Sequence, residues 1–161
     1  MTKQGYILIA ALILTTVLHT QNFSGHYTIQ SKEMIDGKEY LNAIAQEITV
    51  TQTKDSIKIV RITPAGDDKT TTSTETLPLN GKEVITITSS KRRKTVFISF
   101  DKGKNMATIS SVFSYPEKPD DVEFKNTEIW NIAEDGTLTI TKTSDATVTD
   151  DWTIKAVYKK G

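Results

Sequence analysis

The chemistry open to this chain is narrowed first by what its 161 residues lack. There is no cysteine, and the only histidines are His19 and His26. Thiol nucleophiles, zinc–thiolate clusters and disulfides are therefore excluded, and no second imidazole or thiol stands beside His26 to complete a transition-metal site. The acidic pairs Asp67-Asp68, Asp120-Asp121 and Asp150-Asp151 lack the D-x-D-x-D-G spacing that gathers six to eight oxygens round calcium, and they read as solvated turns. No G-x-S-x-G elbow and no phosphate-cradling glycine loop is present, so neither a catalytic triad nor a metal or cofactor is expected. A carboxylate-only enzyme, as in glycoside hydrolysis, stays open as a catalytic alternative, because the pairing of two acids cannot be read from sequence order.

Polar residues on faces that should be apolar are the stronger signal. In VEFKNTEIWNI, the alternate positions Val122, Phe124, Trp130 and Ile132 carry Asn126 and Glu128 on the same side. A carboxylate facing a core is costly unless paired, and Arg61 or Arg93 could be its partner. Either this is a buried structural ion pair, or these groups line a wet cavity and orient a ligand. The candidate ligand-binding set is Arg61, Asn126 and Glu128, with Phe100, Trp130, Trp152 and Tyr158 as the aromatic lining. The two tryptophans are residues that more often fill a barrel core than stack on a ligand.

The elements that must position these residues are strands. From Gln46 to Lys159 the chain alternates apolar and polar residues in short runs closed by turn residues, with no long helical period. A first strand is expected in FSGHYTIQ, followed by an irregular stretch, Ser31 to Ala45, that suits one helical turn or a lid. Gln46–Thr53 and Ser56–Ile62 form a hairpin with Ile48, Val50, Ile57 and Ile59 inward. A loop over Pro64–Asp68 leads to the threonine-rich Lys69–Leu77, and Asn80-Gly81 is the strongest two-residue hairpin signal, leading into Glu83–Ser89. The remaining strands are Arg93–Phe100, Asn105–Tyr115, Val122–Ile132 after a Pro116–Asp121 loop, Thr137–Thr143, and Val148–Lys159 after a turn at Ser144–Ala146. About ten antiparallel strands leave two exposed edges unless the sheet curls, so the expected fold is all-β, an up-and-down meander of eight to ten strands closed as a barrel or half-barrel.

Composition agrees with one soluble domain: 37% hydrophobic, 25% charged, with 20 basic residues balancing 20 acidic ones. That balance argues against a nucleic-acid partner, and the only dense basic run, Lys91-Arg92-Arg93-Lys94, is read as a solvated hairpin end. Residues 1–20 differ from the rest: Lys3 precedes the apolar Tyr6–Leu18, which is too short to span a bilayer. They are read as a signal peptide cleaved after Thr20, leaving 21–161 as the exported domain, periplasmic or extracellular, with no stable membrane span.

The opening FSGHY, the turn-bounded TETLPLNGKE, the pair EIWNIAEDGTLTITKT and the closing WTIKAVYKK resemble the lipocalin-like, calycin-type β-barrel proteins exported by Bacteroidetes-type bacteria. The resemblance covers about Phe23 to Lys160. The family's glycine-x-tryptophan stands here as Gly25-His26-Tyr27, and the basic residue that packs over that aromatic would be Lys155 or Lys159. The resemblance implies a non-catalytic barrel protein with a small, largely apolar ligand. The alternative is a protein-interaction or envelope-scaffolding module with a filled barrel, marked by an exposed cluster of Tyr40, Leu41 and Tyr115.

Overall fold

The computed structural model describes residues 21–40, 42–101, 103, 105–147 and 149–161. The signal-peptide reading of 1–20 and the role assigned to Leu41 lie outside the described residues. Among these residues ten strands follow one another: β1 Gly25–Asp36, β2 Glu47–Gln52, β3 Ser56–Gly66, β4 Lys69–Pro78, β5 Val84–Ile87, β6 Arg93–Asp101, β7 Met106–Tyr115, β8 Lys118–Ile132, β9 Leu138–Ala146 and β10 Trp152–Lys160. They form one antiparallel sheet in the order β4-β3-β2-β1-β10-β9-β8-β7-β6-β5. The first and last strands pair along their length, from Tyr27↔Lys160 to Asp36↔Thr153. The sheet thus curls into a nearly closed barrel whose unladdered seam lies between β4 and the β5–β6 hairpin.

Several boundaries differ from the sequence reading for identifiable reasons. The expected Asn80-Gly81 hairpin does not form: Asn80 Oδ1 accepts from Lys82 N at 3.1 Å and Gly81 takes φ +76°, but β4 and β5 exchange no ladder. A local turn signal specifies the reversal, not the pairing beyond it. The 64–68 loop is instead a tight hairpin turn with Asp67 and Asp68 both left-handed (φ 49° and 57°), the geometry that matches strand twist. β8 begins at Lys118 rather than after Asp121, accommodating Pro119 beside two register shifts near Tyr115. Ser144–Ala146 continue β9 instead of turning.

β1 is longer than expected because two bulges, at Ile29/Ser31 and Met34/Asp36, bend it while it stays on β10. Its ladder with β2 ends at Thr28↔Glu47, with Gln46 still bonded to Ile29 and Ile62, and among the described residues 37–40 and 42–45 leave the sheet and pass over one barrel mouth. There they make a single turn, with Ala43 N donating to Tyr40 O at 3.0 Å, and bury Ala43, Ile44 and Ala45. No helix forms among the described residues.

The interior is stratified. Toward one end the inward positions are apolar and fully buried: Ile57, Ile59, Leu77, Val96, Ile98, Trp130, Leu138 and Tyr158 pack with Phe23 and Tyr27. The inward set Ile48, Val50, Ile57 and Ile59 is placed as the alternation requires. Phe23 plugs this end, 6.1 Å from the Trp130 ring and 6.3 Å from Phe100, with the Tyr27 hydroxyl donating to its carbonyl at 2.9 Å. The cation over Tyr27 is Lys160, at 6.0 Å, rather than Lys155 or Lys159. Gly25 permits this, since a Cβ there would stand 2.6 Å from Lys160 Cε and 3.2 Å from the Tyr27 ring. Further along the same strands the inward residues turn polar, and the candidate site begins there.

Candidate functional site

Five strands contribute one charged residue each to the polar half of the barrel: Arg61 from β3, Glu75 from β4, Lys94 from β6, Glu128 from β8 and Lys142 from β9. The same period of two that fills the apolar end carries these side chains inward. Glu128 Oε2 accepts from Arg61 Nη2 at 3.1 Å and from Trp130 Nε1 at 3.0 Å, and its Oε1 lies 3.5 Å from Lys142 Nζ. Arg61 Nη1 stands 3.5 Å from Glu75 Oε2, and Glu75 Oε1 accepts from Lys94 Nζ at 2.5 Å. That last pair crosses the seam from β4 to β6, holding by side chains two strands that share no backbone ladder.

Burial pushes the Glu128 carboxyl upward, but the fields of Arg61 and Lys142 and the hydrogen bonds from Trp130 and Arg61 outweigh it and hold its pKa at about 2. Glu128 is therefore ionised at any physiological pH. Burial lowers the Lys142 pKa, with Arg61 and Lys94 adding repulsion and Glu128 opposing. Arg61 stays charged: burial disfavours the cation, yet Glu128 and Glu75 raise its pKa overall.

Among the described residues, two neighbouring chambers that share part of their lining lie against this network. One, of about 180 Å³, lies along the seam between Arg61, Ser73, Glu75, Lys94, Ser111 and Glu128. The other, of about 380 Å³, opens beside Asn42 and Ala43, walled by Tyr40, Phe113, Phe124 and Trp152 with Arg92 and Glu123 at its edge. Phe113, Asn126 and Lys142 border both. Phe113 and Phe124 stack at 4.3 Å, and Tyr40 packs on Trp152 at 6.0 Å. Cations flank these rings: Arg92 over Phe124 at 5.7 Å, Lys94 over Phe113 at 5.8 Å and Lys142 over Trp152 at 5.9 Å. Asn126 lines both chambers, and its Oδ1 is buried with no hydrogen-bond partner among the described residues. Across both chambers the charged lining is Arg61, Arg92, Lys94 and Lys142 against Glu75, Glu123 and Glu128.

Of the residues singled out in the sequence, Asn126 and Trp152 border the larger chamber and Arg61 and Glu128 the smaller one. Tyr158 is fully buried, its hydroxyl donating to Ala45 O at 2.8 Å, and touches a space of about 40 Å³ beneath the 42–45 segment. Trp130 and Phe100 belong to the packed end: Trp130 is inaccessible and Phe100 packs against the core. Glu128 takes Arg61 as partner, while Arg93 donates to Thr95 Oγ1 at 2.7 Å. The basic run is not a solvated hairpin end, since Arg92 pairs with Glu123 at 2.5 Å and Lys94 joins the internal network, leaving Lys91 at the exposed turn. Glu75, Lys94, Lys142 and Phe113 were missed. Continuing the alternation outward from Leu77, Ile98, Ile140 and Ile109 would have found them.

Of the aromatic surface cluster expected for a partner, Tyr40 packs on Trp152, Tyr115 is 47% exposed, and Leu41 lies outside the described residues. His26 is half-exposed, its Nδ1 3.1 Å from Thr49 Oγ1. Asp151 Oδ1 accepts from Ala146 N at 2.8 Å. Among the described residues no three His, Cys, Asp or Glu side chains converge as a metal site, and no helix is long and apolar enough to cross a membrane.

Fold and site define a nearly closed, ten-stranded antiparallel barrel with a charged and aromatic-walled cavity. No protein-family model and no curated protein matches the chain. Among solved structures it is similar to the crystal structure of a mutant of the fluorescent protein UnaG, at 12% identity over 86% of this chain and 96% of that one, with a TM-score of 0.49.

Proposed function

We propose that this chain is an exported, non-catalytic lipocalin-like protein of the Bacteroidetes type that holds a small molecule with a largely apolar body in the larger barrel chamber. The observation that carries the reading is the 380 Å³ cavity, within the usual range for small-molecule sites, bordered by a buried carbonyl oxygen of Asn126 that none of the described residues satisfies. Burial of the ligand body against Tyr40, Phe113, Phe124 and Trp152 supplies affinity, at about 25 cal/mol per Å² of apolar surface. The polar groups supply orientation. A non-catalytic role is supported by the state of the interior acids: Glu128 is held ionised by two cations and so is a poor proton donor, and Glu75 is clamped between Arg61 and Lys94.

Native mass spectrometry of protein isolated from its own host tests this. A co-purifying small molecule is expected, released on denaturation and lost in Trp152→Ala. Protein free of any adduct, with no thermal shift across a broad small-molecule set, would refute the reading. A protein-interaction module is the second reading, favoured by Ile85 and Ile87, which are 55% and 60% exposed on edge strand β5.

A further inference from the structure

We propose that the cavity is a receptor for a small aromatic monoanion that carries a hydrogen-bond donor beside its charge, an aroyl amino acid being the simplest chemical type. This rests on the ligand-binding reading and specifies the ligand class.

The charge follows from the lining. Among the described lining residues four cations face three carboxylates, so the two chambers hold one positive charge in excess, in surroundings where an unmatched charge is costly. The excess falls most heavily on Lys142. Arg92 has its own carboxylate in Glu123, Lys94 has Glu75, and Arg61 reaches both Glu75 and Glu128. Among the described residues the carboxylate nearest Lys142 is Glu128, whose Oε1 lies 3.5 Å away while its Oε2 accepts from Arg61 and Trp130, so Lys142 shares that one anion with Arg61. Burial lowers the Lys142 pKa, with Glu128 opposing and Arg61 and Lys94 adding to the fall.

The donor follows from Asn126. In the β8–β9 register Glu128 faces Lys142 and Asn126 faces Ser144, so Asn126 and Lys142 are diagonal neighbours on the inward face. Such neighbours stand about 7–8 Å apart at most, close enough for one head group to meet both. The Asn126 carbonyl oxygen is buried and unfilled, which calls for an N–H or O–H near the anionic group.

The flat body follows from the walls. The Phe113–Phe124 stack and the Tyr40–Trp152 pair present aromatic surfaces to the 380 Å³ chamber. Beyond Glu128 the barrel axis is filled by Trp130 and Phe23, so a long alkyl chain has no course along it.

Isothermal titration calorimetry with four probes tests this on the unmodified protein: N-(2-naphthoyl)glycine, its neutral primary amide, the isosteric 2-naphthoyloxyacetate in which oxygen replaces the N–H, and dodecanoate. The acid is expected to bind tightest, with the amide and the ester each weaker by about tenfold or more and dodecanoate weaker still. Lys142→Met should erase the preference for acid over amide, and Asn126→Leu the preference for N–H over ester. Equal affinity for acid and amide, no penalty for the ester, or tighter binding of dodecanoate would overturn the inference while leaving a ligand-binding barrel intact. No binding of any probe, together with no adduct on the native protein, would overturn both.

Discussion

Glu128 shows how one residue can be costly alone and stabilising in company. Its folded pKa of about 2 lies below the ordinary 4.5, so the unfolded chain binds the proton more tightly. The stability it contributes is complete above about pH 4.5 and is lost as pH falls through its folded value. Thermal melts between pH 5 and pH 2 should show a drop of about 3 kcal/mol attributable to this group. Glu128→Gln should flatten that limb while lowering stability at pH 7, because it leaves Arg61 and Lys142 sharing a buried site without their common anion. Gly37 is fixed by a different constraint. It has φ +77°, and a Cβ there would stand 2.2 Å from the Asp151 backbone oxygen. Gly37→Ala should cost more than about 1 kcal/mol in a denaturant titration, whereas Gly25→Ala, which meets chiefly the mobile end of Lys160, should cost less.

Among the elements, the strands flanking the seam are set apart, since β4 and β5 each have a ladder on one side only. Amide hydrogen exchange should therefore be fastest in β4 and β5 among the ten strands, with β1, β10 and β8 slowest. Removing the side-chain tie should widen the difference: Lys94→Met is expected to accelerate exchange in β4 while leaving β8 to β10 unchanged. The strands themselves were legible from alternation, since neither face of a half-buried ribbon tolerates the wrong residue for long. The seam was not. Asn80-Gly81 has every property of a tight hairpin, and only the closure of the whole sheet decides that its flanking strands diverge. The same limit governed the site. Asn126 and Glu128 stood out because they interrupt an aromatic strand, whereas Lys142 and Glu75 lie in threonine-rich runs where an inward charge looks like one more solvated residue.

For the molecule as a whole, the absence of cysteine means that packing, ladders and the internal ion network supply all the stability. Anything that binds the folded state alone adds to it by mass action, about 2.7 kcal/mol at a hundredfold excess over Kd. The two tryptophans make this observable. Trp130 is sealed in the packed end and Trp152 borders the larger chamber, so a bound molecule should change emission or quenching from Trp152 alone. Trp152→Phe should remove the response, and a signal surviving in that variant would place the ligand elsewhere.

The direct pairing of β1 with β10 also bears on chain connectivity. Gly161 N donates to His26 O at 2.9 Å, so the residue after β10 meets the start of β1 on one ladder, while the chain between β4 and β5 crosses a gap that no backbone ladder spans. A circular permutant opened at Gly81, with a short linker from Gly161 back to Phe23, would keep every strand pairing of the sheet. In covalent order its strands would then run from one rim of the seam round to the other, the same sequence in which they already stand in space.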